Sequence, residues 1–154
     1  MIKMVTKNAA ETKKVARALA REIVRAPAGR RARVLALSGE LGAGKTTFTQ
    51  GFATALGIKE KIKSPTFVLV KIYDLRHAAG NMRHGFKHLI HIDCYRISSP
   101  KDLIHLGLRD LLKDKDAIIL IEWPERIKKI LPSHTRWLRF KYGKQSNGRS
   151  IDIN

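Results

Sequence analysis

Cysteine is almost missing from this chain: Cys94 is the one example in 154 residues. That excludes an internal disulfide and any zinc centre built from several thiolates, and a single thiol is more often a small buried apolar group than a nucleophile. Long apolar runs are missing too; no stretch approaches the roughly 18 residues of a membrane-spanning helix. The opening Met1-Ile2-Lys3-Met4-Val5-Thr6-Lys7 lacks the apolar core of a signal peptide, so the expected setting is soluble and cytoplasmic, with no membrane partner. There is no Asn-Lys-x-Asp stretch to read guanine, so a GTPase is not expected. Repeats and low-complexity segments are absent.

Acidic residues are scarce, 13 Asp and Glu against 31 Lys and Arg, for a formal net charge of +18. Such an excess speaks of partners and not of fold. Clusters at 30–33, 59–63, 76–87 and 128–129 suit RNA or an acidic partner surface. The competing reading is a general basic bias of solvated lysines. Aromatic residues make up only 6% of the chain, and they are not interleaved with these clusters as a single-strand platform requires.

What is present is more specific. Gly39-Glu40-Leu41-Gly42-Ala43-Gly44-Lys45-Thr46 is a phosphate-binding loop with the spacing G-x-x-x-x-G-K-[ST]. Its glycines let the backbone curl so that successive N–H groups face phosphate oxygens. Lys45 adds a cation at the β- and γ-phosphates, and the Thr46 hydroxyl suits Mg²⁺. The helix that begins here, running on through Thr47, turns its positive dipole end to the same anion. The flanks agree: 33–38 is an apolar run suited to a buried strand, and Phe48, Phe52 and Leu56 share one face of a helix over 47–56 that Gly57 would cap.

Elsewhere, Val15, Ala16, Leu19, Ala20, Ile23 and Val24 recur at helical spacing over 9–25, behind Asn8 as N-cap. Residues 67–73, dense in β-branched and aromatic side chains, predict a strand after Ser64-Pro65-Thr66. A second strand is predicted over 89–95, joined to the first by a long basic hairpin loop, 76–88. His77, His84 and His88 in that connection match no metal-ligand spacing. Ser99-Pro100 opens a helical stretch to residue 113, broken near Gly107. Residues 117–121 form an uninterrupted apolar run, the pattern of a strand buried on both faces. Segments 137–142 and 150–153 alternate around a turn at 143–148 as a terminal hairpin. The expected architecture is one domain, 1–154, a three-layer α/β fold of the P-loop NTPase kind. Its mixed, partly parallel central sheet would end in a C-terminal β-hairpin, with the phosphate site at the carboxyl ends of the parallel strands.

Hydrolysis or transfer also needs an acid near the metal and a group that orients the nucleophile. Glu122 ends the run 117–121, where a Walker-B-type acid would reach Mg²⁺ beside Thr46. Asp93 reads either as a catalytic acid or as a structural one paired with Arg96 or a histidine. Thr66 is placed to offer its hydroxyl or backbone to a γ-phosphate, as switch segments do. Trp123 is either a packing residue beside Pro124 or an aromatic wall of the site.

In this order and nearly this spacing, four blocks resemble the motifs of the TsaE family, small bacterial ATPases required for threonylcarbamoyladenosine formation in tRNA. They are 39–48, Ser64-Pro65-Thr66-Phe67-Val68-Leu69-Val70, His91-Ile92-Asp93-Cys94-Tyr95-Arg96 and Ile121-Glu122-Trp123-Pro124-Glu125-Arg126. The resemblance runs from residue 6 to 153. It implies an ATPase subunit that uses ATP and Mg²⁺ and acts with the TsaB and TsaD proteins, which themselves handle the transfer to tRNA. It implies that Thr46 and Glu122 hold Mg²⁺, that Lys45 and its loop neighbours Glu40, Leu41, Gly42, Ala43, Gly44 and Thr47 hold the phosphates, and that Asp93 supports hydrolysis. Thr66 would belong to a nucleotide-sensing segment, and Trp123, Glu11 and Arg149 would border the nucleotide. The connection 76–88 and the charge of +18 depart from the family pattern, and they make direct tRNA contact more plausible. Two alternatives stand beside this reading: a small-molecule P-loop kinase, for whose lid the connection 76–88 is poorly placed, and a basic RNA-binding protein that uses nucleotide only as a switch.

Overall fold

The sheet is built outward from its most apolar strand. In the computed structural model, which describes residues 1–27, 29–77, 85–144 and 146–154, strand β5 (Ala117–Glu122) is buried along its whole length. It lies parallel to β2 (Arg33–Ser38) on one side and β4 (His88–Asp93) on the other. β3 (Val70–Asp74) pairs antiparallel with β4 at one edge. Toward the other edge β6 (Arg136–Tyr142) runs parallel to β2 and turns back into β7 (Arg149–Ile153), which β1 (Ile2–Thr6) joins antiparallel. The strand order is β1-β7-β6-β2-β5-β4-β3, a mixed sheet of the P-loop NTPase kind.

Helices cover both faces of its centre. On one side α1 (Ala9–Arg25) lays Ala16, Leu19, Ala20 and Ile23 in a core shared with Phe48 and Phe52 of α2 (Lys45–Ala55). The two helices meet at Gly51, where any Cβ would strike the Lys13 backbone, so this glycine sets how closely α2 can lie. On the other side α3 (Pro100–His105), α4 (Leu108–Lys113) and a 3₁₀ helix (Pro124–Ile130) close a second core with Leu103, Leu108, Leu112 and Ile127 over Ile119 and Ile121. No helix among the described residues is long and apolar enough to cross a membrane.

Several sequence expectations hold in detail. Asn8 caps α1, its Oδ1 accepting from Glu11 N at 2.9 Å, and Gly107, at φ 86, separates α3 from α4. Ser99 and Asp102 form a capping box ahead of Pro100. Others need correction. The strand predicted over 67–73 begins only at Val70. Residues 66–69 instead form a turn, with Val68 N and Leu69 N both donating to Pro65 O and Leu69 at φ 64. Phe67 and Val68 are left 84% and 64% exposed. Tertiary hydrogen bonds to Ser64 and Thr66, described below, override β-propensity here. The strand predicted over 89–95 ends at Asp93, and the 3₁₀ helix and β1 were not anticipated. The basic connection 76–88 does join antiparallel neighbours, but residues 78–84, including His84, lie outside the described residues.

Candidate nucleotide-binding site

The phosphate loop leaves β2 and enters α2 with Gly39, Gly42 and Gly44 at φ 141, 74 and 100. Gly39 admits no other residue, because a Cβ there would overlap the Phe140 carbonyl oxygen as well as strain the backbone. Two braces from the terminal hairpin hold the loop. The Tyr142 hydroxyl donates to Leu41 O, and Arg149 Nη2 donates to Gly42 O at 3.0 Å.

Lys45 is 95% withdrawn from solvent, with 5% exposed. Its ammonium donates to the carbonyls of Gly39 at 2.7 Å and Glu40 at 2.8 Å and lies 4.2 Å from the centre of the Trp123 ring. Burial pushes its pKa below the usual lysine value, while Glu122, Glu125 and Asp93 oppose that. The side chain is thus a charge held by weak partners that a phosphate can replace. Trp123 reaches this position through a left-handed backbone, φ 57, a strained conformation for a bulky residue of the kind that gathers at functional sites. Its ring packs on Tyr95 with centroids 5.0 Å apart.

Beside Lys45, the Thr46 hydroxyl is 3.1 Å from both carboxylate oxygens of Glu122. Glu122 Oε1 also accepts from His91 Nε2 at 2.9 Å, and both side chains are buried. His91 Nδ1 has no partner among the described residues. One strand over, Asp93 pairs in register with Glu122. Its Oδ2 accepts from Ser64 Oγ and, at 2.9 Å, from Thr66 Oγ1; its Oδ1 accepts from Tyr95 N at 2.8 Å. Arg96, one of the partners considered for Asp93, stacks on Phe67 at 4.5 Å.

Lys45, Thr46, Thr66, Asp93, Glu122 and Trp123 line one cavity of about 300 Å³, with Leu41, Gly42, Gly44 and Thr47 of the loop. A second, of about 330 Å³, opens on the other side of the loop between Asn8, Thr12, Asn147 and Arg149 and shares Gly42, Gly44 and Thr47. Cys94 is buried, and burial, then Asp93 and Glu125, push its thiol up to about 12; it is not a nucleophile at neutral pH.

Residues 6–151 match the family model described as "Threonylcarbamoyl adenosine biosynthesis protein TsaE". The chain belongs to the TsaE family. Among its relatives, the tRNA threonylcarbamoyladenosine biosynthesis protein TsaE of Haemophilus influenzae is 41% identical over 117 residues, 76% of this chain and 66% of that protein. The Borreliella burgdorferi protein of the same name is 37% identical over 123 residues, 79% of this chain and 81% of that one. The crystal structure of YdiB from Bacillus subtilis superposes with a TM-score of 0.74 at 32% identity, covering 99% of this chain and 83% of that one.

Within this TsaE chain not every expected residue meets the cavities. Glu11 lines neither: its carboxylate accepts from Lys7 N at 2.7 Å and serves the start of α1. Glu40 contributes its carbonyl to Lys45, and Ala43 is wholly buried under the loop. Conversely, Ser64, His91, Tyr95 and Tyr142 belong to the site without having been singled out. His91 was within reach, since residues two apart on a strand share a face, and His91 shares its face with Asp93.

Proposed function

We propose that this chain, acting as one domain, is a Mg²⁺-dependent ATPase that serves threonylcarbamoyladenosine modification of tRNA. It would turn over slowly alone and faster with TsaB and TsaD, which handle the transfer. The observation that carries this reading is the contact of Thr46 with both oxygens of Glu122 immediately beside Lys45. A hydroxyl and a carboxylate form the hard-oxygen donor set that Mg²⁺ takes alongside substrate phosphates and water.

Thr46 and Glu122 would hold the ion, which when bound neutralises charge on the β- and γ-phosphates. Lys45 exchanges the carbonyls of Gly39 and Glu40 for phosphate oxygens, and the loop N–H groups and the α2 dipole add to the anion's hold. Asp93, with Ser64 and Thr66 on one carboxylate oxygen, orients the attacking water and ties the turn 66–69 to the γ-phosphate end of the cavity. The second cavity, between the start of α1 and Arg149, receives the base and ribose. Trp123 leaves the ammonium of Lys45 and borders the nucleotide.

The test is ATP hydrolysis and tRNA modification reconstituted with and without this protein. Turnover that needs Mg²⁺ and rises with TsaB and TsaD supports the reading. A phosphoryl transfer to a small molecule, with no response to either protein, would replace it with the kinase alternative.

A further inference from the structure

The half of the sheet made by β1, β7 and β6 is covered on one face only. Ile151, Ile153, Leu138 and Phe140 point into the core under α1 and α2. The alternate residues point the other way, and the register aligns them in rows: Lys3, Asp152 and Arg139 form one, and Val5, Ser150 and Lys141 the next. Lys3, Val5, Arg139 and Lys141 are all exposed. A groove of about 440 Å³ runs along the end of these rows, where Lys7 and Lys144 add two more cations and no acid lines it. The neighbouring acid, Asp152, is already paired with Lys141 at 3.1 Å. Trp137, on the same face, carries Lys128 6.0 Å from its ring centre.

We propose that this open face, centred on Lys3, Arg139, Lys141 and Lys144, binds the phosphate backbone of RNA. The inference rests on the tRNA-modification reading given above and names the surface that would meet the substrate. Charge complementarity selects the occupant. Cations two residues apart on a strand stand roughly 7 Å from each other, and those on β1 and β6 are separated by two strand spacings of about 4.8 Å. Such a spaced grid of long basic side chains matches the repeated charge of a nucleic-acid backbone. An acidic protein partner would also be expected to find a broad apolar centre; here Val5 is the one apolar side chain of the two rows, Tyr142 lines the groove, and Trp137 beside them already carries Lys128. Tyr142, whose hydroxyl braces Leu41 O, is among the residues that line the groove, so RNA seated there lies against the support of the phosphate loop.

The experiment is a titration of an unmodified tRNA transcript with the full chain, followed by fluorescence anisotropy over about 50 to 200 mM salt. The triple variant Lys3→Gln, Arg139→Gln, Lys141→Gln should bind about tenfold more weakly. The slope of log affinity on log salt should flatten by about two, as expected for three lost phosphate contacts. A matched control, Lys59→Gln, Lys61→Gln, Lys63→Gln, should change affinity less than about threefold. If the triple variant is unstable, Lys3→Gln with Lys144→Gln, neither of which breaks an ion pair, should give a proportionate loss. Unchanged binding in these variants, an equal loss in the control, or displacement of tRNA by polyglutamate at matched charge each overturns the proposal. ATP hydrolysis and its response to TsaB and TsaD, measured on the same preparations, keep the two readings apart. Intact hydrolysis without RNA binding sinks the face alone, and RNA binding without hydrolysis sinks the enzymatic reading alone.

Discussion

The phosphate loop divides two cavities of similar size and opposite character. On one side Asp93 and Glu122 are each only 3% exposed, and five hydrogen-bond donors from Thr46, Ser64, Thr66, His91 and Tyr95 are spent on holding them. On the other side the walls are Asn8, Thr12, Asn147 and Arg149, with no acid at all. Buried carboxylates are costly unless fully hydrogen-bonded, and here that cost is met by donors from four separate segments. On the function proposed above, the acidic cavity serves turnover and the other serves grip. Substitutions on the first should therefore lower kcat, and those on the second should raise KM.

The largest expected effect is Glu122→Gln, which should cut kcat about a hundredfold to a thousandfold while leaving Mg²⁺-free ATP binding intact; a normal rate would remove Glu122 from the reaction. Lys45→Ala removes the buried cation of the acidic cavity, the exception to that division because its charge meets phosphate directly, and calorimetry should read a loss of ATP affinity of about a hundredfold or more. His91 tests whether the acidic side depends on its supporting donor. His91→Leu should raise the Mg²⁺ concentration needed for half-maximal nucleotide binding by about tenfold, and His91→Gln, which keeps an N–H, should recover most of that. An equal defect in both variants would make His91 a packing residue only. Arg149→Ala should raise KM several-fold with kcat nearly unchanged, through loss of the donor to Gly42 O; a fall in kcat alone would erase the division between the two sides. Smallest of all, Cys94, buried with its thiol pushed up to about 12, should resist iodoacetamide at neutral pH until the chain unfolds, as mass spectrometry can follow.

Legibility in the sequence followed the range of the interactions concerned. The loop 39–46, the apolar run ending at Glu122 and the amphipathic α1 announce themselves because their signals are local: a spacing, an unbroken run, a period. The segment Phe67-Val68-Leu69 misled for the opposite reason. Its composition favours a strand, but Asp93, 27 residues away from Thr66 in sequence, holds the preceding hydroxyls and bends it into a turn. β1 was invisible because its short, mostly exposed sequence becomes a strand only against β7. Glu11 was named from family resemblance alone, and its carboxylate accepts from Lys7 N at the start of α1, a local bond that no motif spacing announces.

The two braces on the phosphate loop have a consequence in time. Tyr142 and Arg149 lie 101 and 107 residues beyond the carbonyls that they hold. At common rates of translation the loop leaves the ribosome about 5 to 20 seconds before them. During that interval the glycine-rich turn is unbraced and the edge of β2 that will receive β6 is bare, a template for wrong pairing. Any product of the same message that stops short of Arg149 therefore lacks a brace on Gly42 O and should hold nucleotide more weakly.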